Sequence, residues 1–250
     1  MSKIIELKDV VKSFGGTRAV DGLSLSLEEG GVLGFLGTNG AGKTTTIKMI
    51  LGLLSPDEGT VSVLGGNPAD PSVRAGLGYL PEAAYYYPLL DAPEVLAFYG
   101  RMSGMDESTI AERTEDLLED VGLAHDAWNR PLKTYSKGML QRVGIAQALV
   151  HNPKLLVLDE PFTGLDPLAR RRFRQLIMRY RDAGGSVIFS SHDLSEAELI
   201  CDSVAILRRG RIVFSGARND LAGDASVNLE RLFLSKLAES GDEEAKEALK

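Results

Sequence analysis

Two short stretches alternate apolar and polar positions, IIELKDV (4–10) and LSLSL (23–27), as strands with one wet face do. Three others run apolar with little alternation: GVLGFLG (31–37), KLLVLDE (154–160) and SVIFSS (186–191). Such runs suit strands covered on both faces, the habit of parallel sheets. Helical spacing follows each of them, over 43–53, 167–183 and 194–200. That order predicts an α/β architecture. SVAILRRGRIVFSG (203–216) predicts two strands around a turn at Arg209-Gly210. Between about 88 and 150 the texture changes. APEVLAFYGRMSGM and ESTIAERTEDLLEDVGL carry helical patterns with no strong strand signal between them, which predicts an α-helical insert. The tail from about 217 is polar, with one amphipathic piece, NLERLFLSKLAE. Its last ten residues are rich in charge and are expected to fray. No internal repeat is visible.

Composition narrows this picture. The chain has 250 residues, 44% hydrophobic and 25% charged, enough apolar side chains to build a core. Its net charge of −7 argues against a broadly basic nucleic-acid surface. Cys201 is the only cysteine, so no internal disulfide can form, and a reducing compartment fits. The start, MSKIIELKDVVKSF, has scattered charges and no apolar targeting run. No window approaches the roughly 20 apolar residues that span a bilayer. Work at a membrane would need a partner to supply the spanning part.

Two motifs carry candidate chemistry. GTNGAGKTT (37–45) fits G-x-x-x-x-G-K-[ST], follows an apolar strand and opens a helix, which is the context of a phosphate-binding P-loop. Its glycines let the backbone approach a polyphosphate, and the helix start offers free N–H groups and a positive dipole end. Lys43 would reach the β- and γ-phosphates and Thr44 would ligate Mg²⁺. The plainer alternative, a Gly-rich turn without ligand, gives the Lys-Thr pair no purpose. LLVLDE (155–160) is an apolar strand ending in two acids, costly in a buried place without a cation. Beside a P-loop, Asp159 would bind Mg²⁺, directly or through water, and Glu160 would act as general base on the attacking water. An acidic helix cap is the bland alternative.

A third stretch, KTYSKGMLQRVGIAQAL (133–149), reads first as a helix start. Ser136 is the N-cap, and Met139, Val143, Ala146 and Val150 form one apolar stripe. A cap alone explains neither Gly138 nor the pair Gln141-Arg142.

The P-loop, YSKGMLQR, LDEP, GLDP and SSHD, in this order and spacing, resemble the ATP-binding cassette of ABC transporters over about residues 4–235. The resemblance implies a P-loop NTPase (RecA-like) core with an antiparallel β subdomain and the helical insert at about 88–150, in an ATP-binding domain of residues 1–235 with a charged tail at 236–250. It assigns ATP binding to Phe14, which would stack on adenine, and to Gly37, Thr38, Asn39, Gly40, Ala41, Gly42, Lys43, Thr44 and Thr45. Asp159 and Glu160 keep the roles above, and His192 matches the switch histidine that contacts the γ-phosphate. His125 and His151 read as structural. Ser136, Lys137, Gly138 and Met139 match the signature motif, which contacts the ATP bound to an opposite subunit, and Asp166 lies in the loop that crosses to that subunit. The implied assembly is a head-to-tail dimer, most simply a homodimer, around two Mg-ATP. Hydrolysis would remove the phosphate bridge and let opening and closing drive a partner.

Some positions depart from the family's common form. Thr38 stands where Pro is frequent, and Lys137 and Met139 replace the usual residues of the signature. Lys137 either adds charge near the trans phosphate or points to solvent. Glu82 stands where a Gln usually touches Mg²⁺ and water; it either ligates the metal or sits back from it. The variants YLPE, YSKGM, GLDP and SSHDLSEAE together resemble cassettes of ABC-2-type exporters, including drug-export, copper-related and gliding-related systems. By the same resemblance an integral membrane permease would dock near Glu82–Tyr99, with Tyr85–Tyr87 at the contact or, alternatively, packed inside the insert. The protein would then sit in the cytoplasm, peripheral to the membrane. A non-transport ABC ATPase acting on ribosomes or DNA is the competing reading; one cassette, no coiled-coil arm and an acidic balance favour transport. A degenerate regulatory module is opposed by the intact Lys43, Asp159, Glu160 and His192.

Overall fold

The computed structural model describes residues 2–218, 229–241 and 243–249. These divide into two compact units, residues 1–74 with 186–250, and residues 75–185. The helical stretch expected at about 88–150 lies within the second unit, which also takes in strands and a further helix. The 236–250 tail is not set apart and belongs with the first unit.

In the first unit, strand β1 (Lys3–Phe14) lies between β2 (Thr17–Glu28) and β4 (Glu58–Val63), all antiparallel. Gly15 and Gly16 join β1 to β2 with φ of 53° and 84°. Two left-handed residues give a tight hairpin a twist that matches its strands. Strand β3 (Val32–Gly37) is buried at every position and is flanked in parallel by β7 (Ser186–Ser191) and β8 (Ser203–Arg208). This is the outcome its unbroken apolar run predicts. Strand β9 (Arg211–Ala217) returns antiparallel to β8 through Arg209 and Gly210, at φ 48° and 79°. Strand β4 had no clear signal. It is polar, starts Glu-Gly and is largely exposed on the outside of its sheet.

Helix α1 (Lys43–Ile50) follows β3, and α2 (Pro71–Arg74) is a single turn. Further along the chain one helix spans Leu229–Glu239 and buries Leu229, Phe233 and Leu237, a stripe at every fourth residue. Among the described residues of the end expected to fray, a helix forms over Glu243–Ala248 and buries Ala245, while Lys246 and Glu247 face out. The buried Arg208 guanidinium donates to the carbonyl and, at 2.7 Å, to the hydroxyl of Ser240. That anchor offers these helices a polar partner which their composition does not reveal.

In the second unit, β5 (Leu77–Leu80) runs parallel to β6 (Leu155–Asp159). Four helices surround the strands in the chain: α3 (Ala92–Met102), α4 (Glu107–Asp120), α6 (Lys137–Leu149) and α7 (Pro167–Asp182), with the short α5 (His125–Trp128) among them. Asp91 opens α3 with a reciprocal capping box to Glu94, and Asp106 caps α4. Helix α6 departs from the expected single stripe. From Gln141 onward all but Arg142 and Gln147 are buried, so this is a core helix. Small residues allow it: a Cβ on Gly144 would meet Leu80 at 2.6 Å and the Tyr86 hydroxyl at 3.1 Å. Arg113 closes its far end, donating to the carbonyls of Val150 (2.6 Å) and Leu149 (2.8 Å).

Candidate nucleotide site

The P-loop geometry grows out of β3. Gly37 ends the strand where a Cβ would lie 2.6 Å from the Leu207 carbonyl. Gly42 has φ 110°, and a Cβ there would lie 2.5 Å from the Ala19 carbonyl, so both conformation and space require glycine. Between them the chain turns, with the Ala41 amide donating to the Thr38 carbonyl at 3.2 Å. Thr38, Asn39 and Gly40 are exposed, Ala41 is buried, and Thr44, in the first turn of α1, is exposed beside the half-buried Thr45. Lys43 is buried, and its ammonium donates to the carbonyls of Gly37 (2.7 Å) and Thr38 (3.3 Å), which holds it under the loop.

The strand register adds His192. Leu36 on β3 pairs with Ser191 on β7, so Gly37 and His192 leave neighbouring strands side by side. His192 is exposed. The Ser191 hydroxyl donates to the Asp193 carbonyl (3.0 Å) and accepts from the Asp193 amide (2.8 Å), fixing the turn that carries the imidazole. Asp193 then caps α8 (Leu194–Ile200). A feature that escaped the sequence is the brace behind the loop: the Gly210 amide donates to the Ala41 carbonyl at 2.8 Å. The RG turn was legible, but its target was not. Phe14, at the end of β1, exposes 52% of its surface, with the Lys12 ammonium 5.8 Å from its ring centre.

The second unit gathers the remaining motifs. Leu80 on β5 pairs with Leu158 on β6, so Pro81-Glu82 and Asp159-Glu160 emerge from the same end of adjacent strands. Asp159 and Glu160 are buried, whereas Glu82 is exposed. Burial, and then the charge of Asp159, push the Tyr79 hydroxyl up to about 12. Glu160 has φ 49° and precedes Pro161. A branched-free but bulky side chain in the left-handed region before proline is a strained arrangement.

The signature helix locks onto the chain that follows Glu160. Ser136 caps α6, its hydroxyl accepting from the Met139 amide at 3.3 Å. Gln141, buried, donates to the Pro161 carbonyl at 2.9 Å. Arg142 donates to Asp166 (2.9 Å) and to the Gly122 carbonyl (2.6 Å). The pair Gln141-Arg142, which capping left unexplained, thus ties α6 to residues 161–166. Asp166 caps α7 through the Ala169 amide, and that hydrogen bond, with the Arg142 charge, holds its carboxyl below the usual carboxylate range. Ser136 and Lys137 are exposed, Gly138 and Met139 partly so. The three tyrosines divide: Tyr85 and Tyr87 expose 91% and 80%, while Tyr86 turns inward against α6.

His125 stacks on Trp128, and the His151 Nε2–H donates to the Leu77 carbonyl at 3.0 Å. No helix among the described residues is long and apolar enough to cross a membrane.

Comparison with known proteins places these motifs in context. The family described as ABC transporter matches residues 20–163. The ABC transporter ATP-binding protein all4389 of Nostoc sp. is 44% identical over 84% of this chain, which spans 63% of that relative's length. The daunorubicin/doxorubicin resistance ATP-binding protein DrrA of Streptomyces peucetius is 40% identical over 93% of this chain and 71% of its own. Among solved structures, an ATP-binding subunit of an ABC transporter superposes with a TM-score of 0.86 at 32% identity, over 93% of this chain and 99% of that one. A dimeric ATP-binding cassette in a post-hydrolysis state, bound to ADP and Pi, superposes with a TM-score of 0.79 at 25% identity, over 86% and 98%.

Proposed function

Because the chain belongs to the ABC transporter family, with the fold of its ATP-binding cassettes, we propose that it hydrolyses ATP as the nucleotide-binding subunit of a transporter. The register that sets His192 beside Gly37 carries this reading, because it joins a phosphate cradle to a second polar group at one strand end. On this reading residues 37–45 hold the phosphates, Lys43 leaves the loop carbonyls for the β- and γ-phosphates, and Phe14 offers an exposed face to adenine.

Mg²⁺ belongs to the same reading. No group of three or more His, Cys, Asp and Glu clusters as an all-protein cage among the described residues. Mg-nucleotide sites need only one or two protein oxygens besides phosphate and water. The exposed Thr44 hydroxyl and the Asp159 carboxylate are oxygens of the right kind. The ion would neutralise charge developing on the phosphates. Exposed Glu82 sits at the same strand end as Asp159, and we assign it a peripheral or water-bridged part there. Glu160 takes a proton from water as the water oxygen bonds to the γ-phosphorus and the bond to the ADP oxygen breaks.

Two copies complete the site. Ser136 is exposed and Gly138 partly so at the start of α6, and the anion such a helix start suits is the γ-phosphate held by a second copy. Asp166 lies beside that surface. Tyr85 and Tyr87 mark the docking place of a membrane permease near Glu82–Tyr99, which would hold the protein on the cytoplasmic face. The drug-resistance relative supports export; the cargo would be chosen by the permease.

ATP turnover by the purified chain tests the proposal. Lys43→Ala should lose essentially all turnover through phosphate binding. Glu160→Gln should lose turnover by at least about a hundredfold yet retain ATP and elute as a dimer. Parent-like turnover in Glu160→Gln would remove Glu160 from the role of base.

A further inference from the structure

We propose that Lys137 acts through its hydrocarbon stem: lying across Gly164, it is a positioning residue that holds segment 161–166 against the start of α6. The inference rests on the ATPase reading above for its kinetic consequence, but not for its structural one.

The contact is reciprocal and depends on two missing side chains. A Cβ on Gly164 would lie 3.3, 3.4 and 3.5 Å from Cγ, Cδ and Cε of Lys137, so three stem carbons follow the bare face of that glycine. A Cβ on Gly138 would lie 2.8 Å from the Gly164 carbonyl oxygen, so the next residue of α6 is equally bare where the same peptide approaches it. Gly164 has φ 79°, a conformation a side chain would strain. Gln141 and Arg142 hold the two ends of the segment, at Pro161 and Asp166. Lys137 covers its middle.

The position of Lys137 in its helix points the same way. It is the first residue of α6, whose first turn contains no acid. A cation at a helix start gains nothing from the helix dipole. Long lysine stems can nevertheless cover apolar or bare backbone surface while the ammonium stays in water. That role is filled by the methylenes, so a charge-free chain of the same length should fill it too. The segment covered runs from the proposed base, Glu160, to Asp166, the residue beside the second copy. Its placement therefore sets how Glu160 and the signature surface stand to each other.

The test compares Lys137→Met, which keeps an unbranched stem, with Lys137→Ala, which removes it. Backbone hydrogen exchange in the full chain reads the clasp without any catalysis. The amides of Thr163 and Leu165, bonded in turns at 3.1 and 3.3 Å, should exchange about fourfold or more faster in Lys137→Ala and near the parent rate in Lys137→Met, the factor expected for about one methylene of lost contact. Kinetically, kcat should fall several-fold in Lys137→Ala with KM for ATP little changed, and Lys137→Met should restore most of kcat. Gly164→Ala should slow the parent more than it slows Lys137→Ala, since the two changes break one contact. Equal impairment of the Met and Ala variants would overturn the proposal in favour of the ammonium. Parent-like exchange in Lys137→Ala would overturn it outright. A parent without turnover would sink the ATPase reading and leave the exchange result to decide on the clasp.

Discussion

Glu160 combines burial, a left-handed backbone at φ 49° and a following proline. Such a conformation costs on the order of 1–3 kcal/mol and persists where the surroundings over-determine it. Here the surroundings are named: Pro161 is held by Gln141, and the Thr163 amide donates back to the Glu160 carbonyl at 3.1 Å. The strained turn places a second carboxylate directly after Asp159, at the end of a strand that is otherwise apolar. Asp166, six residues on, offers a test through charge. Its carboxyl is depressed first by the Ala169 amide and then by the Arg142 charge. A depressed folded value means the ionised group stabilises the fold above its unfolded pKa, and that the contribution is lost as pH falls through the folded value. Asp166→Asn keeps a good N-cap but removes the charge. Its unfolding midpoint in denaturant should lie slightly below the parent near pH 7, and the gap should close as pH falls below the ordinary carboxylate range and through the depressed folded value. Titrating the midpoints of both proteins checks this; a gap that widens in acid would show that the charge is not what the cap uses.

At the scale of elements, legibility followed the strength of local pattern. Strands β3, β6 and β7 announced themselves because a strand covered on both faces is built mainly from apolar residues without a polar alternation. The turn Arg209-Gly210 was legible because few residues tolerate two left-handed positions. Strand β5 was not: LGYL is four residues long, contains a glycine and runs straight into Pro81. Its glycine is explained only by packing, since a Cβ on Gly78 would lie 2.1 Å from the Ala148 carbonyl and 2.8 Å from Leu156 and Pro153. Helix α6 misled in the opposite way, its apparent stripe being part of a helix buried almost all round from Gln141 onward. The two errors have one cause, which is that α6 lies on Gly78 itself. Gly78→Ala should therefore destabilise the chain by roughly 1–3 kcal/mol or more, the cost of forcing volume into a packed contact. Denaturant unfolding measures it; a loss under a few tenths of a kcal/mol would mean that α6 can move aside.

At the scale of the whole molecule, the motifs fall into two groups that the spacing could not separate. The P-loop, Phe14 and His192 belong to the first unit, and Asp159, Glu160, the signature and Asp166 to the second. Sequence named nearly every candidate residue, because phosphate chemistry tolerates few substitutes, but it left the tyrosine run as one undivided feature. The structure divides it. Tyr85 and Tyr87 point outward, near exposed Leu89 in the chain, while Tyr86 is largely buried and burial pushes its hydroxyl well up. An aromatic with a polar tip is suited to an interface, and two of them exposed together are an unusual solvent face. Replacing Tyr85 and Tyr87 together by Glu should leave the unfolding midpoint within about 0.5 kcal/mol and ATP affinity unchanged, because exposed positions contribute little to the fold. The same protein should no longer copurify with the proposed permease from membranes. Tyr86→Ala should do the reverse, lowering stability by roughly 3 kcal/mol through the cavity beside α6. Retained copurification in the double Glu variant would place the docking surface elsewhere on the chain, whatever the fate of the ATPase.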